Sequence, residues 1–209
     1  MLRVFRKTWM RVSKTALPGA NTEGTAAVEF ALLLPILITL FFGVVESSLA
    51  LLCRADVSLM ASTAGDLITQ TKAATTTDIS NVYSAAGTLL YPYYDPAETG
   101  SAKPTIRITS VVDDGSGAAS GDHLTGKVAW TCTQSGAGTL TPSSRAVNST
   151  VTLPQPLMTD KGSVVIAEIA YNYVSETTKT ITGPINFTNN FYAKPRRVLQ
   201  IPAPTGGCP

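Results

Sequence analysis

A run of apolar residues near the N-terminus constrains this 209-residue chain more than any other feature. Between residues 26 and 45 the only charged side chain is Glu29. About 20 residues at 1.5 Å each span a hydrocarbon core of roughly 30 Å, so the run predicts a membrane-spanning helix. It is longer than the apolar region of a typical secretory signal.

Glu29 stands out because a carboxylate is costly inside a membrane. At the centre of the bilayer the cost is on the order of 2.5 kcal/mol. An acid in such a segment is therefore a functional-site hypothesis by default. The alternative is an interfacial Glu29 that faces the lipid headgroups near the start of the helix.

The residues around Glu29 form a motif that resembles a known family. The stretch from Gly24 to Pro35 reads GTAAVEFALLLP, and Gly43 and Glu46 follow it. It is similar to the start of TadE-like proteins, which are minor pseudopilins of the tight-adherence (Flp) type IV pilus system.

The resemblance implies a cut by a prepilin peptidase between Gly24 and Thr25, which makes Glu29 the fifth residue of the mature chain. It also implies that Glu29 and Pro35 act in assembly. The expected partners are the inner membrane, the prepilin peptidase, other pilins or pseudopilins and the pilus assembly machinery. The alternative function is an unprocessed, single-pass membrane-anchored scaffold or sensor with an extracytoplasmic domain.

Charge is divided unequally along the chain. Residues 1–24 contain five basic residues and Glu23, a net +4, whereas the remainder has 11 basic and 13 acidic residues, a net −2. Positive charge beside one end of a span marks the cytoplasmic side. A basic segment can also bind nucleic acid. Because this one lies beside a membrane span, we interpret its charge as a determinant of membrane orientation and expect no nucleic-acid partner. The charge pattern predicts a cytoplasmic N-terminus. The resemblance implies that the membrane is the bacterial inner membrane, that the C-terminal domain is periplasmic, and that the protein enters a surface pilus if it polymerises.

The three cysteines, Cys53, Cys132 and Cys208, lack the C-x-x-C spacing of a zinc or redox site. An oxidising compartment would allow Cys132 to pair with Cys208. The alternative is that all three thiols are free.

The sequence predicts three regions in an α+β fold. These are a basic leader over residues 1–24, a transmembrane and stem helix over 25–70, and a periplasmic α+β domain over 71–209. Apolar residues spaced three and four apart from Val45 to Ile68 make the second half of the stem amphipathic. We therefore expect a long pilin-like helix that packs on a small antiparallel meander.

The elements of the C-terminal domain are predicted from shorter signals. Thr75 and Asp78 predict the cap of a second helix, whose apolar face is Ile79, Val82, Tyr83, Ala86 and Leu90. Alternation with period two predicts strands from Ile106 to Val112 and over residues 127–133, 164–175 and 197–201. Residues 134–149 are predicted to be a loop, and residues 185–193 a short helical turn.

The C-terminal part adds to the resemblance. Residues 164–173 look like the late strand of TadE-like proteins, and residues 191–197 resemble their Tyr-x-x-Pro-Arg ending. Lys194, Arg196 and Arg197 are candidate contacts for an acidic partner. A solvated turn is the equally weighted alternative.

Motifs for catalysis are incomplete. Residues 121–128 approach a phosphate loop, but Val128 replaces the Ser or Thr that holds magnesium, and a strand follows instead of a helix. His123 is the only histidine, and no Gly-x-Ser-x-Gly accompanies it. Asp113, Asp114 and Asp122 are candidate calcium ligands without the spacing of a known loop. We expect no enzyme activity, no cofactor and no metal site.

Overall fold

The computed structural model describes residues 22–95, 97, 102–115, 124–136, 140–141, 143–175, 183–206 and 208. The chain divides into two compact units, Met1–Val44 and Val45–Pro209. Helix α1, Thr22–Thr69, has 48 residues and contributes to both units. The predicted bounds of the stem helix, 25 and 70, lie within three residues of these ends.

From Cys53 on, α1 is amphipathic as its sequence period predicts, whereas Val45 and Leu49, at the start of the predicted stripe, are exposed. Its buried stripe repeats at intervals of three and four residues, and consists of Cys53, Val57, Met60, Ala61, Ala64 and Ile68. Leu51, Leu52 and Leu59 lie on other faces and are exposed. This half of the helix is therefore one layer of the core.

Helix α2, Thr76–Gly87, begins at a capping box. The Asp78 backbone N–H donates to Thr75 Oγ1 at 3.1 Å, and the Thr75 N–H donates to Asp78 Oδ2 at 2.8 Å. The two bonds satisfy backbone donors that a helix start leaves unpaired. A 3-10 turn, Thr88–Leu90, extends the helix. All five residues of the predicted apolar face are buried.

Five strands form one antiparallel sheet. They are β1 (Thr105–Val112), β2 (Thr125–Ser135), β3 (Thr150–Thr152), β4 (Ser163–Tyr173) and β5 (Ile185–Ala193). Their order is β3-β2-β1-β4-β5, and every neighbouring pair is antiparallel. The predicted α+β class and antiparallel sheet are confirmed. The connectivity is not a simple meander, because β4 pairs with β1 rather than with β3.

Two local predictions are wrong, and one short strand was not predicted. Residues 185–193, predicted as a helical turn, form β5, and the predicted strand over 197–201 consists of bends. No residue of β5 is buried, and Asn and Thr occupy several of its positions. The strand therefore lacks the alternation of apolar and polar residues from which strands are predicted. Residues 197–201 bond instead to side chains: Ser163 Oγ donates to Leu199 O at 3.1 Å and Trp130 Nε1 to Ile201 O at 2.9 Å. The strand that was not predicted is β3, which follows the predicted loop over 134–149 and is too short and too exposed to show a pattern. The first two residues of that predicted loop belong to the end of β2.

The main core lies between the two helices and one face of the sheet. The strands contribute Ile106, Ile108, Trp130, Cys132, Val165, Ala167 and Ile169 to it. A second, smaller cluster consists of Val111, Leu153, Met158, Val164 and Ile166. The helix layer therefore covers the sheet face that carries most of the buried side chains.

Candidate functional site

The first part of α1 exposes its apolar side chains. Every residue from 24 to 45 is exposed, including Val28, Phe30, Leu32, Leu33, Ile36, Leu37, Leu40, Phe41 and Phe42. The most apolar stretch of the helix has no buried residue within the described chain, whereas the core helix of a soluble protein would be mostly covered. Length and composition fit a single-pass membrane anchor.

The two residues of the expected cut lie inside this helix. Gly24 and Thr25 are exposed and follow the helix start at Thr22. A Cβ added at Gly24 would meet no atom within 4 Å. A protease that reads extended backbone would have to unwind this first turn, and Gly lowers helix stability by roughly 1 kcal/mol relative to Ala. Gly24 therefore lowers the stability of the first helical turn.

Glu29 is exposed on α1, four residues after Thr25. Residues four apart lie on the same helix face, about 6 Å apart along the axis. A cut before Thr25 would create an α-amino group, which is cationic at neutral pH. The carboxylate of Glu29 lies within one turn of that position.

Pro35 lies within α1 and the helix continues through it. Proline has no N–H, so the carbonyl four residues earlier loses its helical donor. Thr39 Oγ1 donates to the Pro35 carbonyl oxygen at 2.8 Å. Pro35 therefore places a local gap in the backbone ladder of the exposed apolar segment.

Glu46, the second acid of the N-terminal motif, has a different environment from Glu29. It is only 7% exposed, and the Tyr173 hydroxyl donates to its Oε1 at 3.2 Å. The Tyr173 ring makes an edge contact with Tyr93, with ring centroids 5.7 Å apart. Burial, followed by the hydrogen bond to Glu46, raises the pKa of Tyr173 to about 12. Sequence reasoning placed Glu46 in the motif but missed this partner, which lies 127 residues away.

Cys132 and Cys208 form a disulfide, with their Cα atoms 5.2 Å apart. Cys53 is free and buried. Cys208 lies at the end of a C-terminal segment that the Trp130–Ile201 hydrogen bond also holds on the core. The disulfide therefore joins the C-terminal tail to β2.

The three basic residues after β5 have different environments. Arg196 forms an ion pair with Asp66 of α1, and its backbone N–H donates to Thr69 O at 3.0 Å. All three side chains, those of Lys194, Arg196 and Arg197, are exposed. Arg196 thus attaches the tail to the end of α1.

The aspartate-rich loop is described only in part. Asp113 Oδ1 accepts from the Gly115 N–H at 3.1 Å, and Oδ2 accepts from the Lys161 N–H at 2.9 Å. Both oxygens thus hold the turns at this end of the sheet. Asp122 and His123 lie outside the described residues. Among described residues, no three His, Cys, Asp or Glu side chains are grouped so as to hold a metal ion.

Comparison with known families supports the resemblance at the N-terminus. A family model described as TadE-like protein matches residues 24–66, which are 43 of the 209 residues. The match begins at Gly24 and includes Glu29, Pro35 and Glu46. No curated protein and no solved structure matches the chain.

Proposed function

We propose that this chain is a minor pseudopilin of the tight-adherence pilus system, because residues 24–66 match the family model of TadE-like proteins. A prepilin peptidase cuts between Gly24 and Thr25, and the product acts in the assembly or priming of the pilus at the inner membrane. The observation that carries the proposal is the register of the motif. The family match starts at the glycine of the cut, and Glu29 is fifth after it.

The orientation follows from charge. Residues 1–24 carry a net +4 and lie on the cytoplasmic side of the span. The second unit, which contains the sheet and the disulfide, then lies in the periplasm. Disulfides persist in that oxidising compartment. The membrane span, the orientation and the Cys132–Cys208 bond therefore fit one another.

Glu29 acts in assembly only after the cut, because its partner is the new N-terminus. The new helix start carries a cationic amine and unpaired N–H groups with partial positive charge. Glu29 pairs with this terminus, either its own or that of a neighbouring subunit. A buried charge without a partner costs several kcal/mol, so the pair favours a docked subunit in one axial register. Pro35 interrupts the backbone hydrogen bonds of the same apolar segment, which would contact the neighbouring subunits.

The experiment replaces Glu29 by Gln in a strain that lacks the native protein. Asp56→Asn is the matched control, because it removes one carboxylate from the same helix outside the first turns. We expect both variants to be processed and inserted, and only Glu29→Gln to lose surface pili. Normal pilus number together with normal processing in Glu29→Gln would show that Glu29 faces headgroups without an assembly role.

A further inference from the structure

Exposed apolar side chains of the second unit are concentrated at one end of it. Seven large side chains at this end are at least 37% exposed, and we call them the basal patch: Val45, Leu49, Leu51, Leu52, Tyr91, Val174 and Ile185. Four others in the described part of this unit lie outside the patch: Leu59, Leu124, Val147 and Leu199. Single apolar side chains on a surface need no partner, whereas a group of them marks an interaction surface.

Strand pairing and one hydrogen bond bring α1 and the sheet together at this end. The Tyr173 hydroxyl, at the end of β4, donates to Glu46 Oε1 at 3.2 Å. Val174 follows Tyr173 in the chain, and Ile185, at the start of β5, is the register partner of Tyr173. The four α1 residues of the patch lie within six residues of Glu46. Six of the seven side chains are therefore grouped around Glu46.

The seventh, Tyr91, is held at the same end by the turn that follows the 3-10 helix. The Tyr93 hydroxyl donates to Leu49 O of α1 at 3.2 Å, and the Tyr171 hydroxyl donates to the Tyr93 carbonyl oxygen. These two bonds fix the turn between α1 and the end of β4. Tyr91 lies two residues before Tyr93, and its side chain is 70% exposed.

The covalent chain keeps the α1 residues of the patch close to the membrane anchor. The apolar run ends at residue 45, and its length of about 20 residues already matches a hydrocarbon core of roughly 30 Å. Residues 46–52 follow on the same helix, so at 1.5 Å each their backbone lies within roughly 10 Å of residue 45. The headgroup layer on each side of a bilayer is about 5–7 Å thick. These residues therefore lie in the headgroup layer or just beyond it.

The chemistry of the basal patch suits this layer. Tyrosine is enriched at membrane–water interfaces, because its ring is apolar and its hydroxyl is polar. The only charged residue of α1 between Val45 and Leu52 is Glu46, which is buried on Tyr173. The next charged residue of the helix, Arg54, is exposed. The patch on α1 thus ends where a charge that requires water begins.

We propose that the basal patch lies against the surface of the bilayer, so that the second unit contacts lipid beside its own anchor. The ring of Tyr91 and the leucines of the patch enter the headgroup layer. A zwitterionic lipid is sufficient, because no side chain of the patch is charged. The contact restricts the directions that the second unit can take above the membrane. This inference rests on the membrane anchor and uses neither the cut at Gly24 nor Glu29.

The test locates position 91 by electron paramagnetic resonance of the full-length protein in phosphatidylcholine nanodiscs. A nitroxide on Tyr91→Cys replaces one ring by another of low polarity, and Cys53 is buried away from the reagent. Leu199→Cys is the matched control. Leu199 is 71% exposed, and its carbonyl oxygen accepts from Ser163 at the opposite end of β4 from Tyr173.

The measured quantity is the ratio of collisions with oxygen, which is apolar, to collisions with a polar nickel chelate. Oxygen enters the apolar part of a bilayer, whereas transfer of the polar chelate into it is costly. We expect the ratio at position 91 to be at least about threefold the ratio at position 199.

Two variants of the Tyr91→Cys protein show whether the patch makes the contact. Leu52→Glu puts a charge in the patch and should lower the ratio about threefold, to the value of the control position. Leu59→Glu is the matched substitution, because Leu59 lies two turns further on nearly the same face of α1. It should leave the ratio unchanged. Leu52 and Leu59 are 58% and 50% exposed, so neither change enters the core.

The proposal is overturned if positions 91 and 199 give the same ratio, or if the two Glu variants behave alike. It is also overturned if a second copy of the chain covers the patch. The label would report that copy as a broadened spectrum that sharpens when labelled protein is diluted with unlabelled protein. Retention of residues 1–24, which would refute the proposed cut, leaves each of these measurements unaffected.

Discussion

Loss of the Cys132–Cys208 disulfide is expected to destabilise the second unit strongly. The perturbation is Cys208→Ser, because Cys208 is half-buried whereas Cys132 is only 1% exposed. Replacement of Cys208 therefore removes the bond with little additional change in the core.

The expected magnitude follows from the length of chain that the bond closes. The two cysteines are 76 residues apart, and restriction of an unfolded loop of that length contributes roughly 4 kcal/mol. For a domain of 150–250 residues, each kcal/mol lowers Tm by about 2–4 °C, so the loss corresponds to about 8–16 °C.

The assay is a thermal melt of the detergent-solubilised protein with and without reductant. Reduced wild type should melt at the same temperature as Cys208→Ser, and reductant should not change the Tm of that variant. Cys53→Ser is the control, because Cys53 is outside the bond and its variant should stay sensitive to reductant. If oxidised wild type and Cys208→Ser melt at the same temperature, and peptide mapping finds both thiols free in protein from intact cells, the reasoning is refuted.

Three further perturbations test the packing. Gly65→Ala should destabilise by about 1–3 kcal/mol in chemical denaturation, because the added Cβ would lie 2.6 Å from Phe191 Cδ1; a gain in stability would contradict the close approach. Thr75→Ala removes the α2 cap and should cost about 1 kcal/mol by the same measurement, with a zero effect counting against the capping box. Burial raises the pKa of Tyr171 to about 12, and Tyr173 is raised to the same value. Both bind a proton more tightly when folded, so their contribution to stability is complete below pH 10 and is lost as the pH rises from 10 to 12. A Tm that does not fall over that interval would contradict their burial.

The elements with strong local signals could be predicted from the sequence. The period of α1 from Val45 to Ile68, the capping box at Thr75 and the alternation in β1, β2 and β4 each depend on nearby residues. From Cys53 on in α1, and in these strands, the predicted face is mostly buried, so the pattern and the packing agree there. The antiparallel class followed from the absence of a helix between the strands.

The rest depends on contacts distant in sequence. β5 is an edge strand with no buried residue, so hydrophobic alternation gives little indication of it. Tyr173 meets Glu46 across 127 residues, and Arg196 meets Asp66 across 130. Neither pair has a local spacing that points to its partner. The N-terminal motif was recognisable because its residues lie within one helix in fixed register.

The first residue of the mature protein tests the central claim most directly. Intact-mass and N-terminal analysis of membrane-extracted protein would measure it, with Gly24→Leu as the variant that crowds the peptidase cleft. The account predicts that wild type starts at Thr25, with its formal charge shifted from +2 to −2, and that the variant retains residues 1–24. A wild-type protein that retains Met1, or a Gly24→Leu variant that still starts at Thr25, would contradict it.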